Sequence, residues 1–142
     1  MLEVKRNSTG PYIITICGSL RYTRYMLQAH HELSNQGFMV FLPDINLEAP
    51  IPTKSSPMNE DAQILHDAKI SFGDAVLIMN LDGYIGESTY HEWKLARKLK
   101  KDILWFHSFV DDEETKKDWV EKTRKLLAKF DKKEKKHESK NA

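Results

Sequence analysis

The sequence predicts an α/β protein built on a parallel sheet with crossover helices. Two runs, Tyr12-Ile13-Ile14-Thr15-Ile16-Cys17 and Ala75-Val76-Leu77-Ile78-Met79, are continuous, apolar and rich in β-branched residues, the mark of strands buried on both faces. Each leads into a glycine-bearing turn and then into residues at helical spacing. From Asp74 to Leu104 the whole unit appears: strand, loop with Gly83 and Gly86, helix, and a second β-rich run, Ile103-Leu104-Trp105-Phe106. In such sheets ligands bind outside the carboxyl ends of the strands.

The elements follow in order. Residues 1–10 read as a loose lead-in, with Asn7-Ser8-Thr9-Gly10-Pro11 as a turn cluster. After the first strand, Gly18-Ser19 opens a helix on which Tyr22, Met26, Ala29 and Leu33 share a face, and Gly37 suits its C-terminus. Phe38-Met39-Val40-Phe41-Leu42 is a second strand, stopped by Pro43. Residues 44–60 are polar and aperiodic, with Pro50, Pro52 and Pro57, and are long for a connection: a lid, a binding loop or a plain flexible loop. A helix runs from Asp61 to Phe72 with Ala62, Leu65, Lys69 and Phe72 expected inward and His66 and Asp67 mid-helix; Gly73 ends it. The third helix runs from Thr89 to Lys100. A last amphipathic helix spans Glu113 to Phe130, with Trp119, Thr123, Leu126, Leu127 and Phe130 on its buried side. The Lys-rich remainder, 131–142, is expected to be disordered, leaving 1–130 as one domain. Right-handed crossovers place four strands, five at most, in the order 2-1-3-4, with the switch point between the first and third.

Bulk properties exclude several classes. The formal net charge of the 142 residues is +1, and the Lys-rich tail alone carries +2, so the body is no general polyanion binder. Nucleic-acid contact through the tail is a minor reading. The one cysteine, Cys17, forms no internal disulfide and fits a reducing compartment, and no stretch has the length of a membrane span or the pattern of a leader. A soluble cytoplasmic protein is expected. The histidines have no metal-ligand spacing, and no cofactor fingerprint is found, so neither metal nor cofactor is expected.

Two places can carry chemistry. Glu92 shares a stripe with Leu95, Ala96 and Leu99, so a carboxylate points inward at the rim of the sheet. Thr89-Tyr90-His91-Glu92 also matches a capping box, in which Glu92 would merely accept a backbone N–H; both readings stand on the residues alone. The turn Gly18-Ser19, with Arg21 and Arg24 near, offers close backbone approach, a hydroxyl and positive charge for a phosphate or carboxylate, or is an ordinary strand-to-helix turn. The order 2-1-3-4 sets it facing the Asp82–Glu92 segment across one crevice.

Those segments together resemble the nucleoside 2-deoxyribosyltransferase-like superfamily, which includes 2'-deoxynucleoside 5'-phosphate N-hydrolases. The resemblance lies in Ile16-Cys17-Gly18-Ser19-Leu20-Arg21, in Asp74-Ala75-Val76-Leu77-Ile78 with Gly83-Tyr84-Ile85-Gly86-Glu87-Ser88-Thr89, and in His91-Glu92-Trp93-Lys94-Leu95-Ala96, across residues 12 to 106. It implies a flavodoxin-like, Rossmann-like three-layer sandwich and a homo-oligomer, a dimer or larger, in which a neighbour completes the site. It implies Glu92 as the nucleophile on C1' of the sugar, with His66 or Asp67 where relatives carry a helix aspartate. Substrate-binding positions are Cys17, Gly18, Ser19, Arg21, Asp82, Gly83, Gly86 and Ser88. Thr15 stands where relatives commonly have tyrosine. The implied activity is cleavage or transfer at the N-glycosidic bond of a nucleoside or nucleoside 5'-monophosphate, as a hydrolase or a deoxyribosyltransferase. A non-catalytic nucleotide-sensing module on the same fold is the alternative. A third reading is an interaction protein working through its tail and Trp93 and Trp119.

Overall fold

The computed structural model describes residues 6–7 and 10–141; most of the lead-in and Ala142 lie outside the described residues. Four parallel strands form the sheet: β1 (Ile13–Cys17), β2 (Met39–Phe41), β3 (Ala75–Ile78) and β4 (Asp102–Trp105), in the order 2-1-3-4. Residues Arg6–Asn7 and Gly10–Pro11 form a small antiparallel pair of their own. The register sets Cys17 beside Ile78 and Ile78 beside Trp105, so the central strands end together. The α/β sandwich expected from the sequence is the observed fold.

Four helices connect and cover the strands: α1 (Thr23–Asn35), α2 (Glu60–Phe72), α3 (Glu87–Lys98) and α4 (Glu113–Asn141). One apolar cluster joins Ile14, Ile16 and Leu77 on one face of the central strands, with Met79 just beyond, to Met26 and Leu33 of α1. The other joins Val76, Ile78, Ile70 and Ala96, with Leu126, Leu127 and Phe130 of α4 against it. Strand residues alternate between these clusters, as the period of a strand requires.

Two helices differ from the sequence expectation. On α2 the inward residues are His66 and Ile70, while Ile64, Leu65 and Phe72 are 60%, 61% and 71% exposed. Apolar and polar positions do not segregate on this helix, and polar groups inside draw the His66 side inward. The second correction concerns α4, which does not end at Phe130 but continues to Asn141. Its extension has partners on α3: the Tyr90 hydroxyl donates to Asp131 and Glu134, Lys94 pairs with Glu134, and the Tyr90 ring stacks on Phe130 at 5.0 Å. A lysine-rich segment thus stays helical because its few acids meet α3. Among the described residues, no helix is long and apolar enough to cross a membrane.

The loop after β3 is fastened to α4. Asn80, fully buried, donates to Thr123 Oγ1 at 2.9 Å, and the Thr123 hydroxyl donates to the Gly83 carbonyl at 2.9 Å. Asn80 Oδ1 also accepts from the His107 backbone N–H at 3.2 Å. A Cβ on Gly83 would lie 2.5 Å from Lys122 Cβ and 2.7 Å from the Trp119 carbonyl, at a φ of +76°. Gly83→Ala therefore combines a left-handed backbone with overpacking and is expected to cost about 2–4 kcal/mol in urea unfolding. Unchanged stability would mean that α4 does not sit on this turn.

Candidate active site

A cavity of about 470 Å³ opens at the carboxyl ends of β1 and β3. Gly18 and Ser19 form one side, and Gly86, Glu87, Ser88 and Thr89 at the start of α3 form the other. The proline-bearing segment closes it, with Lys54, Ser55 and Met58 among its contributions. Among the described residues two hydrogen bonds tie that segment across the cavity: Ser55 and Ser19 share one of 2.7 Å between hydroxyls, and the Met58 N–H donates to Ser88 Oγ at 2.8 Å.

Gly18 permits the close approach that makes this corner. A Cβ there would lie 2.9 Å from Met79 Cβ and 3.1 Å from Met26 Cε. The turn is a short 3₁₀ segment, Leu20–Tyr22, before α1 proper. The Ser19 hydroxyl, rather than the N-terminus of a long helix, therefore faces the cavity. Arg21 is not among the lining residues. Its guanidinium lies over the rings of Tyr84 and Tyr22, 4.3 and 4.8 Å from their centroids. Asp82 and Gly83 also lie away from the cavity: Asp82 is exposed at φ 56°, and Gly83 faces α4.

The capping box does not form. Helix α3 begins at Glu87 with Gly86 as its cap, which puts Glu92 in the second turn rather than at the third position. The Glu92 side chain is 1% exposed and meets other side chains instead. Gln63 Nε2 donates to its Oε2 at 3.0 Å and to Asp67 Oδ1 at 2.9 Å; Asp67 Oδ2 in turn meets His91 Nε2 at 2.8 Å. His66 Nε2 lies 3.5 Å from the same Glu92 oxygen. Among the described residues Glu92 Oε1 is buried without a hydrogen-bond partner, and the His66 ring nitrogens have none in well-aligned geometry, the Ile16 backbone lying nearest. Orphaned groups of this kind cost about 1–3 kcal/mol each, so a fold keeps them for a reason.

Glu92 does not line the cavity. Its neighbours do: Thr89 one turn earlier on α3, Ala62 beside Gln63, and Gly18 beside Cys17. The acid sits behind that wall, with Cys17 and His66. Cys17, expected to contact ligand, is fully buried there.

Burial decides the protonation states. It pushes Glu92 up to about 8, against the Gln63 hydrogen bond and with the help of the Asp67 charge. Burial, aided by Lys69, pushes His66 down to about 4, and it raises the Cys17 thiol well above its ordinary value. At neutral pH the cluster holds a carboxylic acid, a neutral imidazole and a thiol. It is buried and uncharged.

No protein-family profile matches the chain, and no curated protein sequence does. Among solved structures it is similar to a 2-desoxiribosyltransferase from Leishmania mexicana, with a TM-score of 0.52 at 16% identity over 68% of this chain and 64% of that one. Over the matched part the chain shares the fold of that transferase. It spans under two thirds of that transferase chain. A conserved protein from Enterococcus faecalis V583 overlaps 78% of the chain and 74% of its own length, at 19% identity and a TM-score of 0.47. At 16% identity the likeness to the transferase speaks for the fold, which places the cavity at the carboxyl edge of the sheet as its topology requires.

Sequence reasoning missed Gln63, the direct partner of Glu92. The signal was present: Gln63, His66 and Asp67 stand at i, i+3 and i+4, on one face of α2.

The two shifts set a pH dependence. In the unfolded chain the carboxyl titrates near 4.5 and the imidazole near 6.5. Between those values unfolding moves one proton from Glu92 to His66 with no net uptake. From 6.5 to about 8 unfolding releases the Glu92 proton, so the stability this group contributes is lost as pH rises through that window. With EDTA present, the protein is expected to lose about 2 kcal/mol relative to Glu92→Gln between pH 6.5 and 8, measured by urea unfolding. Parallel pH profiles would contradict the buried neutral acid.

Proposed function

We propose that this protein cleaves or transfers at the N-glycosidic bond of a nucleoside or nucleoside 5'-monophosphate, with Glu92 as the nucleophile. The observation that carries the reading is an uncapped carboxyl group, held by a side-chain amide, directly behind a cavity large enough for a nucleoside. The similarity in fold to a deoxyribosyltransferase supports the same class.

The chemistry runs in two displacements. Glu92 transfers its proton to His66 and attacks C1' of the sugar. The bond from C1' to the base breaks, its electron pair stays on the base nitrogen, and that nitrogen takes the proton from His66. Water, or the ring nitrogen of a second base, then attacks C1', and the bond from C1' to the Glu92 oxygen breaks with its electron pair staying on the carboxylate. The acceptor's proton passes through His66 back to Glu92, restoring the acid; the first acceptor makes a hydrolase and the second a transferase. Gln63 and Asp67 hold the acid in place. Gly18, Ser19, Gly86 and Ser88 contact sugar or 5'-phosphate, where Lys54 and the first N–H groups of the twelve-residue α3 favour an anion. For the sugar to reach Glu92 the 44–59 segment and Thr89 must give way, which makes opening a step of the cycle.

A second reading has its own observation. Glu92 is 1% exposed, so the cavity can hold a nucleotide without chemistry, as a sensor would. The assembly we assign is a homodimer, through the exposed Ile64, Leu65 and Phe72 side of α2, in the reducing cytoplasm that suits a free Cys17.

The test is a panel of nucleosides and nucleoside 5'-monophosphates followed by chromatography for free base. Release is expected, and Glu92→Ala is expected to lower it at least about a hundredfold. Tight binding with no release would select the sensor, and release that survives in Glu92→Ala would remove the nucleophile.

A further inference from the structure

Cys17 at the end of β1, His66 on α2 and Glu92 on α3 converge on one point. One donor atom from each lies within 4.8 Å of the other two, and all three side chains are buried. The hydrogen-bond pattern around them is unfinished. Among the described residues neither ring nitrogen of His66 has a partner in well-aligned geometry, the Ile16 backbone being its nearest polar neighbour, Glu92 Oε1 has none, and the Cys17 thiol makes a long 3.9 Å contact with the Thr15 carbonyl of its own strand. Three elements far apart in sequence have delivered sulfur, nitrogen and oxygen donors to one buried place, where Gln63 satisfies a single oxygen of Glu92.

We propose that Cys17, His66 and Glu92 form a site for a soft divalent cation, zinc above all. Donors around tetrahedral zinc, with bonds of about 2.0–2.3 Å, stand about 3.3–3.8 Å from one another. The 3.5 Å between His66 Nε2 and Glu92 Oε2 already falls in that range. Rotation of unbranched Cys17 and Glu92 side chains closes the remainder. A thiolate and a carboxylate balance the two charges of the ion, so the loaded site is neutral and suits burial. Thiolate and imidazole favour zinc over magnesium or calcium, which take oxygen donors. Binding expels the thiol and carboxyl protons.

Such a site also bears on the activity, and this part rests on the proposed function. A carboxylate that coordinates a cation cannot attack C1'. The metal-loaded protein is then the inactive form, and metal removal frees the acid.

The experiment uses the full chain after EDTA treatment and desalting. Zinc is titrated against a chromophoric chelator, and cobalt is added separately as a spectroscopic probe. The expected result is one zinc per chain, together with a thiolate-to-cobalt charge-transfer band in the near ultraviolet. Because Cys17 is the one cysteine, that band reports its ligation without any variant. Cys17→Ser and Glu92→Gln, each checked for folding by circular dichroism, are expected to weaken zinc binding at least tenfold. Absence of the band, sub-stoichiometric zinc, or unchanged affinity in a folded Cys17→Ser protein would overturn the site. Metal uptake is read without substrate, so a failed glycosidic assay leaves this result standing, and the reverse holds too.

Discussion

Taking a carboxyl group out of water at the carboxyl edge of a parallel sheet is the constraint on which the rest of the molecule turns. In a low-dielectric place the ionised form is costly, and the group stays protonated unless something supplies compensation. Helix α3 starts early enough that Glu92 misses its own helix cap. The compensation is instead one amide hydrogen from Gln63. The adjacent imidazole is forced neutral by the same burial. Below about pH 8 the pair therefore holds one proton, on the carboxyl group, with the imidazole free to receive it.

The scaffold holds this arrangement by ordinary means. Glycine at 18 lets β1 turn close to Met79, which brings Cys17 and the turn after it beside the end of β3. The Asn80–Thr123–Gly83 chain of hydrogen bonds anchors the following loop to α4, and that loop leads into Gly86 and the start of α3. The position of Glu92 is thus fixed from both ends of its connection. What is held weakly is the 44–59 segment over the cavity, with two side-chain hydrogen bonds to Ser19 and Ser88. Rigid below and loosely tied above is the arrangement that a ligand-gated pocket needs.

The strands, their order and the place of the cavity were legible because long β-branched runs and right-handed crossovers leave few alternatives. The inward face of α2 was not. Its apolar residues Ile64, Leu65 and Phe72 point outward, and the inward choice of His66 comes from a neighbour that is distant in sequence. The continuation of α4 beyond Phe130 was hidden for a similar reason: composition suggested a solvated tail, while Asp131 and Glu134 find Tyr90 and Lys94 only in three dimensions. The capping box at Thr89 to Glu92 was a correct local pattern that lost to a cap at Gly86, three residues earlier. Local periodicity reaches the elements; tertiary polar contacts decide which side chains enter the site.

The nucleophilic role we propose for Glu92 is tested most directly by trapping. A 2-deoxy-2-fluoro nucleoside, whose fluorine slows breakdown of a glycosyl ester, is incubated with the protein, which is then digested and analysed by mass spectrometry. A sugar adduct on Glu92, lost when a good acceptor base is added, is the result expected. Release of base with no adduct on Glu92, or with the sugar attached to another residue, would contradict the account.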